Sequence, residues 1–325
     1  MLPLPDVEVH APTNLDEALS LLRTHRGSAK VVAGGTDLLP NMKHGVAEPR
    51  VLILLRRITE LAHLRSDDDG MHIGALTSLA TLAEDERLAR YPSVQRAAAL
   101  IASPQIREMA TLGGNLCLDT RCVYFNQTHF WRSALGHCLK KNGTECHVIK
   151  GAQRCVAAAS ADLPPVLISL GASVRIVGSD GIRTVPLSDL YRADGVAPIA
   201  LPPDEILVEV LLPPPHAEVR STYEKLRIRR AIDFPLLGLA LSVRIDDSGV
   251  CRAIRVVANC IAAAPRVVAL DALAVGHRLD ARLVGRITDA CVHALRPLPN
   301  IAEPEWRREM VPVLVRRAFR TVGLP

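Results

Sequence analysis

Apolar residues recur at helical spacing near the start of the chain and form short continuous runs further on. Leu15, Ala18, Leu19 and Leu22 accompany Thr13-Asn14-Leu15-Asp16, which resembles a helix-capping box, so the first helix is predicted there. Short apolar runs bounded by Gly, Pro or Asp are typical of buried strands. They predict strands at residues 30–33, 51–55, 71–73, 172–177, 182–185, 207–212, 221–228, 236–245 and 250–258. Further helices are predicted at residues 78–88, 94–101, 283–295 and 306–322.

Three consecutive prolines, Pro213, Pro214 and Pro215, provide the clearest boundary in the chain. They remove three backbone donors in succession and form a stiff connector. With a second division after the strand at 51–55, we expect three parts. Residues 1–57 form a first lobe, residues 58–215 a second lobe and residues 216–325 a C-terminal domain.

Composition places the chain among ordinary globular proteins, with 49% hydrophobic and 22% charged residues. The net charge is +5, but the basic residues are scattered, so nucleic acid is not an expected partner. No run approaches the roughly 20 apolar residues of a membrane-spanning helix, and the first residues lack signal-peptide features. We therefore expect a cytoplasmic protein without membrane contact. In that compartment its eight cysteines are better explained as ligands, reactive thiols or core residues than as disulfides.

Two glycine-rich loops each follow an apolar segment. Residues 31–38 contain Gly34-Gly35 beside Thr36, and residues 111–115 contain Gly113-Gly114 beside Thr111. Glycines in such loops let backbone N–H groups converge on an anion. One such pair alone is typical of a tight turn, whereas two pairs indicate a pyrophosphate held between two lobes. Neither loop has the G-x-G-x-x-G pattern, so a Rossmann site is not indicated.

These loops, together with residues 160–165 and Lys225, resemble the FAD-binding subunits of the xanthine dehydrogenase and carbon monoxide dehydrogenase family over essentially the whole chain. The resemblance implies an α+β fold, with a two-lobed FAD-binding domain of the PCMH/VAO-like type and a C-terminal domain of a three-stranded sheet and helices. It implies no catalytic residue in this chain, because substrate chemistry belongs to a partner subunit. The FAD contacts that it implies are Val31, Val32, Ala33, Gly34, Gly35, Thr36, Asp37, Leu38, Ile101, Thr111, Gly113, Gly114, Asn115, Asp162, Leu207 and Lys225.

A cysteine-rich insert, at about residues 117–158, makes this region about forty residues longer than the family pattern needs. Five of the eight cysteines lie in it: Cys117, Cys122, Cys138, Cys146 and Cys155. The clustered cysteines leave three interpretations open: an iron–sulfur cluster, a zinc site that uses nearby histidines, and inert buried thiols. The lack of a C-x-x-C pair favours the cluster over zinc. Cys251, Cys260 and Cys291 lie at core-like positions and are predicted to be structural.

The insert also resembles that of the flavin subunits of the 4-hydroxybenzoyl-CoA reductase type, which holds a [4Fe–4S] cluster. This resemblance implies Cys122, Cys138, Cys146 and Cys155 as ligands and leaves Cys117 spare. It implies a dimer of αβγ heterotrimers with a large molybdopterin subunit and a small [2Fe–2S] subunit. Electrons would pass from a ferredoxin-type donor through [4Fe–4S], FAD and [2Fe–2S] to molybdenum, for reductive dehydroxylation of 4-hydroxybenzoyl-CoA. The alternatives are the FAD subunit of an oxidative molybdenum hydroxylase and a zinc-stapled flavin-binding scaffold.

Overall fold

The computed structural model describes residues 2–325, whose strands form three sheets. The first sheet is parallel with strand order β1-β3-β2. It and its helices comprise β1 (Glu8–His10), α1 (Leu15–Thr24), β2 (Ala29–Val32), α2 (Leu38–Lys43) and β3 (Val51–Leu54). Asn14 caps α1, because its side-chain oxygen accepts the backbone N–H of Glu17 at 2.9 Å. The predicted first helix is thus confirmed, and its apolar face packs on β3.

The second sheet has the strand order β4-β5-β8-β6-β7, and all its neighbouring strands are antiparallel. Its strands are β4 (Leu64–Asp67), β5 (Gly70–Gly74), β6 (Ser173–Gly178), β7 (Gly181–Pro186) and β8 (Ile206–Leu212). Ile206 and Val208 of β8 belong to the same apolar cluster as α1 and β3. The first two sheets therefore share a core.

Six helices accompany the second sheet, and most of them are short. They are α3 (Leu79–Glu84), α4 (Pro92–Ala99), α5 (Pro104–Met109), α6 (Leu112–Leu116), α7 (His129–Ala134) and α8 (Leu163–Ser169). The predicted helices at 78–88 and 94–101 are confirmed by α3, with a 3₁₀ turn after it, and by α4. Helices α5 to α8 span only five to seven residues each, too few for a 3.6-residue period to be visible in the sequence.

The C-terminal sheet is antiparallel with order β12-β11-β10-β9. Its elements are β9 (Val219–Leu226), β10 (Leu237–Ile245), β11 (Cys251–Asn259), β12 (Arg266–Val268), α9 (Asp271–Ala274), α10 (Ala281–Ala294) and α11 (Pro304–Thr321). The three long strands were predicted, whereas the three-residue β12 gives no pattern and makes the sheet four-stranded. One face packs on α10 and α11, and Tyr223, Ala240 and Val257 of the other face join the core of the second lobe.

The predicted fold class is thus confirmed in its two lobes and its C-terminal sheet-and-helix part. The proposed boundaries at 57/58 and 215/216 fall between strands of different sheets. That the three parts are separate domains stays a prediction. In residues 2–325 no helix is both long enough and apolar enough to cross a membrane.

A fully buried arginine organises the C-terminal part. Arg307 of α11 is 0% exposed and donates only to backbone carbonyls. They are those of Leu236 at 2.8 Å, Leu298 at 2.9 Å, Ile301 at 3.4 Å and Cys260. These four carbonyls come from three loops, since Leu298 and Ile301 both precede α11, so the guanidinium group fixes the three loops to α11.

Arg307→Met should lower the free energy of unfolding by at least about 3 kcal/mol, because it leaves several buried carbonyls without a donor. Urea denaturation would measure this change. The adjacent Arg308 is exposed, so Arg308→Met should stay within about 0.5 kcal/mol of the unsubstituted protein. Equal effects of the two substitutions would contradict the role given to Arg307.

Candidate functional site

The two glycine loops lie against each other. A Cβ atom added to Gly34 would stand 1.9 Å from the carbonyl oxygen of Met109, just before the second loop. In the second loop, Thr111 caps α6 by accepting the N–H of Gly114 at 3.1 Å. A Cβ atom on Gly113 would approach the Ala75 side chain at 2.9 Å. Backbone from the two lobes thus meets at distances that exclude larger side chains.

The second loop is joined to α8 at the position of Asp162. The Asn115 side-chain oxygen accepts the backbone N–H of Leu163 at 3.2 Å. Asp162 is 3% exposed and receives a hydrogen bond from the Tyr223 hydroxyl at 2.9 Å. Lys225 Nζ lies 3.1 Å from Asp162 Oδ1 and 3.2 Å from Oδ2. This buried pair ties the FAD-binding part to the C-terminal sheet.

Lys225 is saturated by protein oxygens. Besides Asp162, its ammonium group donates to the carbonyls of Leu100 at 3.0 Å and Asp233 at 3.1 Å. Its side chain is 1% exposed in the protein alone. Direct contact of Lys225 or Asp162 with the flavin therefore stays a prediction, and the structure shows both residues in a contact between protein elements.

Burial raises the pKa of Asp162 to about 6, and the opposing attraction of Lys225 and the hydrogen bond from Tyr223 hold it below a still higher value. Burial likewise raises the pKa of Tyr223. Tyr223 is a residue that sequence reasoning missed. In the sequence it is one apolar position of a strand, and its partner is 61 residues away.

Three predicted FAD contacts have side chains committed to the protein interior. Val32 belongs to a small core beside α2, and Ile101 and Leu207 belong to the core of the second lobe. Their contact with FAD stays a prediction. Ser160 is not among the predicted FAD contacts, yet its hydroxyl is buried without a hydrogen-bond partner in residues 2–325. Such an orphaned group beside Asp162 suits a polar cofactor atom.

Asp37 and Arg121 connect the first loop with the insert. Their side chains form an ion pair at 3.4 Å. The Arg121 guanidinium also stacks over the ring of Phe234 at 4.0 Å. Burial raises the pKa of Asp37, and Arg121 opposes that rise. One side chain therefore contacts the first lobe and the C-terminal part from the start of the insert.

Four cysteines of the insert line one small cavity: Cys122, Cys138, Cys146 and Cys155. Cys117 does not line it, but packs against the core of the second lobe, where burial raises its pKa to about 12. The structure thus brings together the four thiols implied as ligands and separates the fifth. Burial raises the pKa of Cys122 to about 11, and its neighbours Cys155 and Cys138 contribute to that rise.

The four sulfur atoms are spaced too widely for a single small ion. No three of these sulfur atoms all lie within 4.8 Å of one another. In residues 2–325 one group of His, Cys, Asp or Glu ligand atoms meets that criterion, and it belongs to Glu8, His10 and His25. Tetrahedral zinc with Zn–S bonds of about 2.3 Å would bring thiolates within about 4 Å of one another. In a cluster each sulfur binds a different iron, which suits wider spacing.

Lys140 lines the cysteine cavity, and one other basic residue, His147, lines it too. The Lys140 side chain is engaged by neighbouring oxygens. It is 4% exposed, and its ammonium donates to Asp119 and Thr120, both at 2.7 Å, and to the carbonyl of Gly195. It lies 4.8 Å from the centre of the Phe125 ring. Burial raises the pKa of Cys155, and the charge of Lys140 opposes this rise.

The insert is fastened to all three parts of the chain. Arg132 and Lys141 donate to the carbonyl of Gly45 in the first lobe, at 2.7 and 2.9 Å. The backbone of Cys155 bonds to Gly195 of the second lobe, and that of Val123 bonds to Asn300 beyond the C-terminal sheet. The cysteine cavity therefore lies in a fixed position relative to the flavin loops.

Residues 5–215 match the family model of the FAD binding domain in molybdopterin dehydrogenase. Residues 221–322 match the CO dehydrogenase flavoprotein C-terminal domain. The chain belongs to the FAD-binding subunits of the xanthine and carbon monoxide dehydrogenase family. As a member of this oxidoreductase family it binds FAD, and the two glycine loops fall within the matched FAD-binding domain.

Several relatives cover most of this subunit. It is 34% identical to the aldehyde oxidoreductase FAD-binding subunit of Escherichia coli, over 73% of this chain and 77% of the relative. It is 28% identical to the 6-hydroxypseudooxynicotine dehydrogenase complex subunit alpha of Paenarthrobacter nicotinovorans, over 97% and 94% of the two chains. The solved carbon monoxide dehydrogenase from Hydrogenophaga pseudoflava superposes with a TM-score of 0.81 at 27% identity, covering 99% of this chain and 98% of that one.

Asp162 should make stability pH-dependent. Its folded pKa of about 6 lies above the value of about 3.9 for an unfolded aspartate, so between these values the folded state binds more protons. Stability from this group is complete below pH 4 and is lost as the pH rises through 6. We expect the free energy of unfolding of the FAD-bound subunit, relative to Asp162→Asn, to fall from pH 4 to 6 and to level off above. Urea titrations at pH 4, 5, 6 and 7 would measure it, and a difference that grows over this range would refute the assignment.

Proposed function

We propose that this subunit carries FAD and a [4Fe–4S] cluster in a complex of the 4-hydroxybenzoyl-CoA reductase type. The observation that carries the proposal is the cavity lined by Cys122, Cys138, Cys146 and Cys155, in an insert that follows the second FAD loop directly. Its partners would be a large molybdopterin subunit and a small [2Fe–2S] subunit in a dimer of αβγ heterotrimers. A ferredoxin-type donor would supply electrons, which would leave for molybdenum through [2Fe–2S].

The residues fit both groups. The two adjoining loops would hold the pyrophosphate of FAD, and the unpaired Ser160 hydroxyl would bond to a polar atom of the cofactor. The four thiols would hold the cluster. Tyr124 and Phe125 line the same cavity, and their rings would limit the access of solvent to the cluster. Bound FAD supplies the exchange between one- and two-electron steps, and a cluster supplies single-electron transfer.

Zinc is the weaker occupant of the cysteine cavity. The sulfur spacing is wider than one tetrahedral ion allows. Nε2 of His147 is engaged with the backbone carbonyl of His137, and His137 does not line the cavity. His129 is stacked at 5.8 Å from the His137 ring and does not line the cavity. The donor set that remains is four thiols, which suits iron and sulfide.

A second function is favoured by the 34% identity to the aldehyde oxidoreductase FAD-binding subunit. In that case the complex would oxidise its substrate, and electrons would leave through this subunit to an acceptor. Both functions use the same FAD site. They differ in the direction of electron flow and in the substrate, which a partner subunit would bind.

Anaerobically purified protein should contain about four irons and one FAD per chain, with absorption that bleaches on reduction. Cys138→Ser should lose most of the iron while FAD is retained. Cys117→Ser should keep both, since Cys117 does not line the cavity. Iron, sulfide and flavin analysis would decide this, and zinc in place of iron, or equal iron loss in both variants, would refute the cluster assignment.

The complete complex separates the two functions. Reduction of 4-hydroxybenzoyl-CoA with a reduced ferredoxin or a low-potential dye as donor supports the reductase. Oxidation of aldehydes without any turnover of the thioester would replace the reductase by the aldehyde oxidoreductase alternative and leave the FAD subunit assignment intact.

Lys140→Met should lower the reduction potential of the cluster. A buried positive charge beside the cysteines stabilises the reduced state, which carries one more negative charge, and the substitution removes it. Lys141→Met is a matched control, because Lys141 points to Gly45, Val46 and Glu48 instead. Spectroscopic redox titration would measure both variants at equal iron content, and an unchanged potential in Lys140→Met would rule out this electrostatic role.

A further inference from the structure

A second cavity lies between the FAD-binding part and the C-terminal sheet. Its volume is about 210 Å³, and the connector Pro213–Pro215 forms one of its walls. The opposite wall is the inner face of β9, β10 and β11, where Ser221, Ser242 and Arg255 stand in register in one row across the strands. The sheet continues here beyond the area that the second lobe covers.

Three arginines line this cavity, Arg90, Arg244 and Arg255, of which Arg90 and Arg255 are exposed. Of the described residues that line it, none is acidic, and in residues 2–325 no carboxylate lies within 4.0 Å of the three guanidinium groups. Arg244 is half-buried, and its Nε atom is buried with no hydrogen-bond partner in that range. Gathering like charges without a counterion is unfavourable, and a buried donor without an acceptor costs free energy.

The cavity is distinct from the cofactor loops. The second glycine loop adjoins Ala75, just after the end of β5, whereas Pro213 and Pro214 adjoin Gly70 at its beginning. Asp162 lies at the start of α8, and Ser169 and Leu170, which line the cavity, lie at its end. The two sites are therefore at opposite ends of β5 and of α8.

We propose that this cavity binds a small phosphorylated anion. Planar guanidinium forks match the oxygens of a phosphoryl group, and the hydroxyl of Ser242 adds a neutral donor, whereas the Ser221 hydroxyl already donates to that of Ser93 at 2.9 Å. The ring of Tyr91 is almost completely buried, and its hydroxyl donates to the Pro213 carbonyl at 2.7 Å. The exposed imidazole of His216 is the one other aromatic ring among the lining residues described, and so small a stacking surface favours phosphate or pyrophosphate over a nucleotide. Because Arg90 belongs to the second lobe and the other two arginines to the C-terminal sheet, the anion would bridge them.

The test is calorimetric titration of the FAD-bound full-length protein with phosphate, pyrophosphate, ADP and succinate at constant ionic strength. We expect saturable binding of phosphate and pyrophosphate, and a weakening of at least about tenfold in Arg244→Gln and in Arg255→Gln. Arg286→Gln makes the same charge change at an exposed position of α10, outside the cavity, and should bind as the unsubstituted protein does.

Arg244→Lys keeps the charge and loses the fork, so it covers the case in which Arg244→Gln fails to fold, and it should also weaken binding. Absence of saturable binding to the unsubstituted protein would overturn the proposal. Binding that is equally strong in the Arg244 and Arg255 variants would also overturn it, as would a preference for succinate. Tighter binding of ADP than of pyrophosphate would reject the preference for a free anion. None of these results depends on the iron content or on the substrate of the complex.

Discussion

The buried contact between Asp162 and Lys225 is the interaction on which the cofactor region depends. It joins the residue that precedes α8 to the end of β9, and the hydroxyl of Tyr223 completes it. Gly238, on the neighbouring strand β10, leaves room for this hydroxyl, because a Cβ atom there would stand 2.1 Å from it. The second glycine loop is attached to the same helix through Asn115. A charge pair without access to water therefore sets the position of the loop relative to the C-terminal sheet.

The longer helices and strands of the fold could be predicted from the sequence, and the shortest ones could not. The helix from Leu15 and the strands of the C-terminal sheet have enough apolar positions for their periods to be recognised. Strand β12 and helices α5 to α8 do not, since each spans at most seven residues. Their positions are set by tertiary contacts, such as the hydrogen bond from the backbone N–H of Leu163 in α8 to the Asn115 side chain in α6.

The candidate sites show a similar division. Glycine pairs and clustered cysteines are local signals, so the loops and the insert could be recognised from the chain itself. Tyr223 and Lys140 could not, because their roles depend on partners 61 and 55 residues away, Asp162 and Gly195 respectively. For Asp162 and Lys225 the resemblance implies contact with the flavin, which stays a prediction. Only the structure shows that each of them is already engaged by the other.

The fastening of the insert to three separate parts of the chain has a consequence for how the complex is built. An irregular segment of this kind has little apolar core of its own, and in small metal-binding domains the bound metal supplies much of the folding free energy. If the four thiols hold a cluster, a newly made subunit that lacks it would have loose contacts at Gly45, Gly195 and Asn300 at the same time. Maturation would then be ordered, with iron delivered before the subunit acquires the shape that its partners recognise, and immature copies would be kept out of the assembled enzyme.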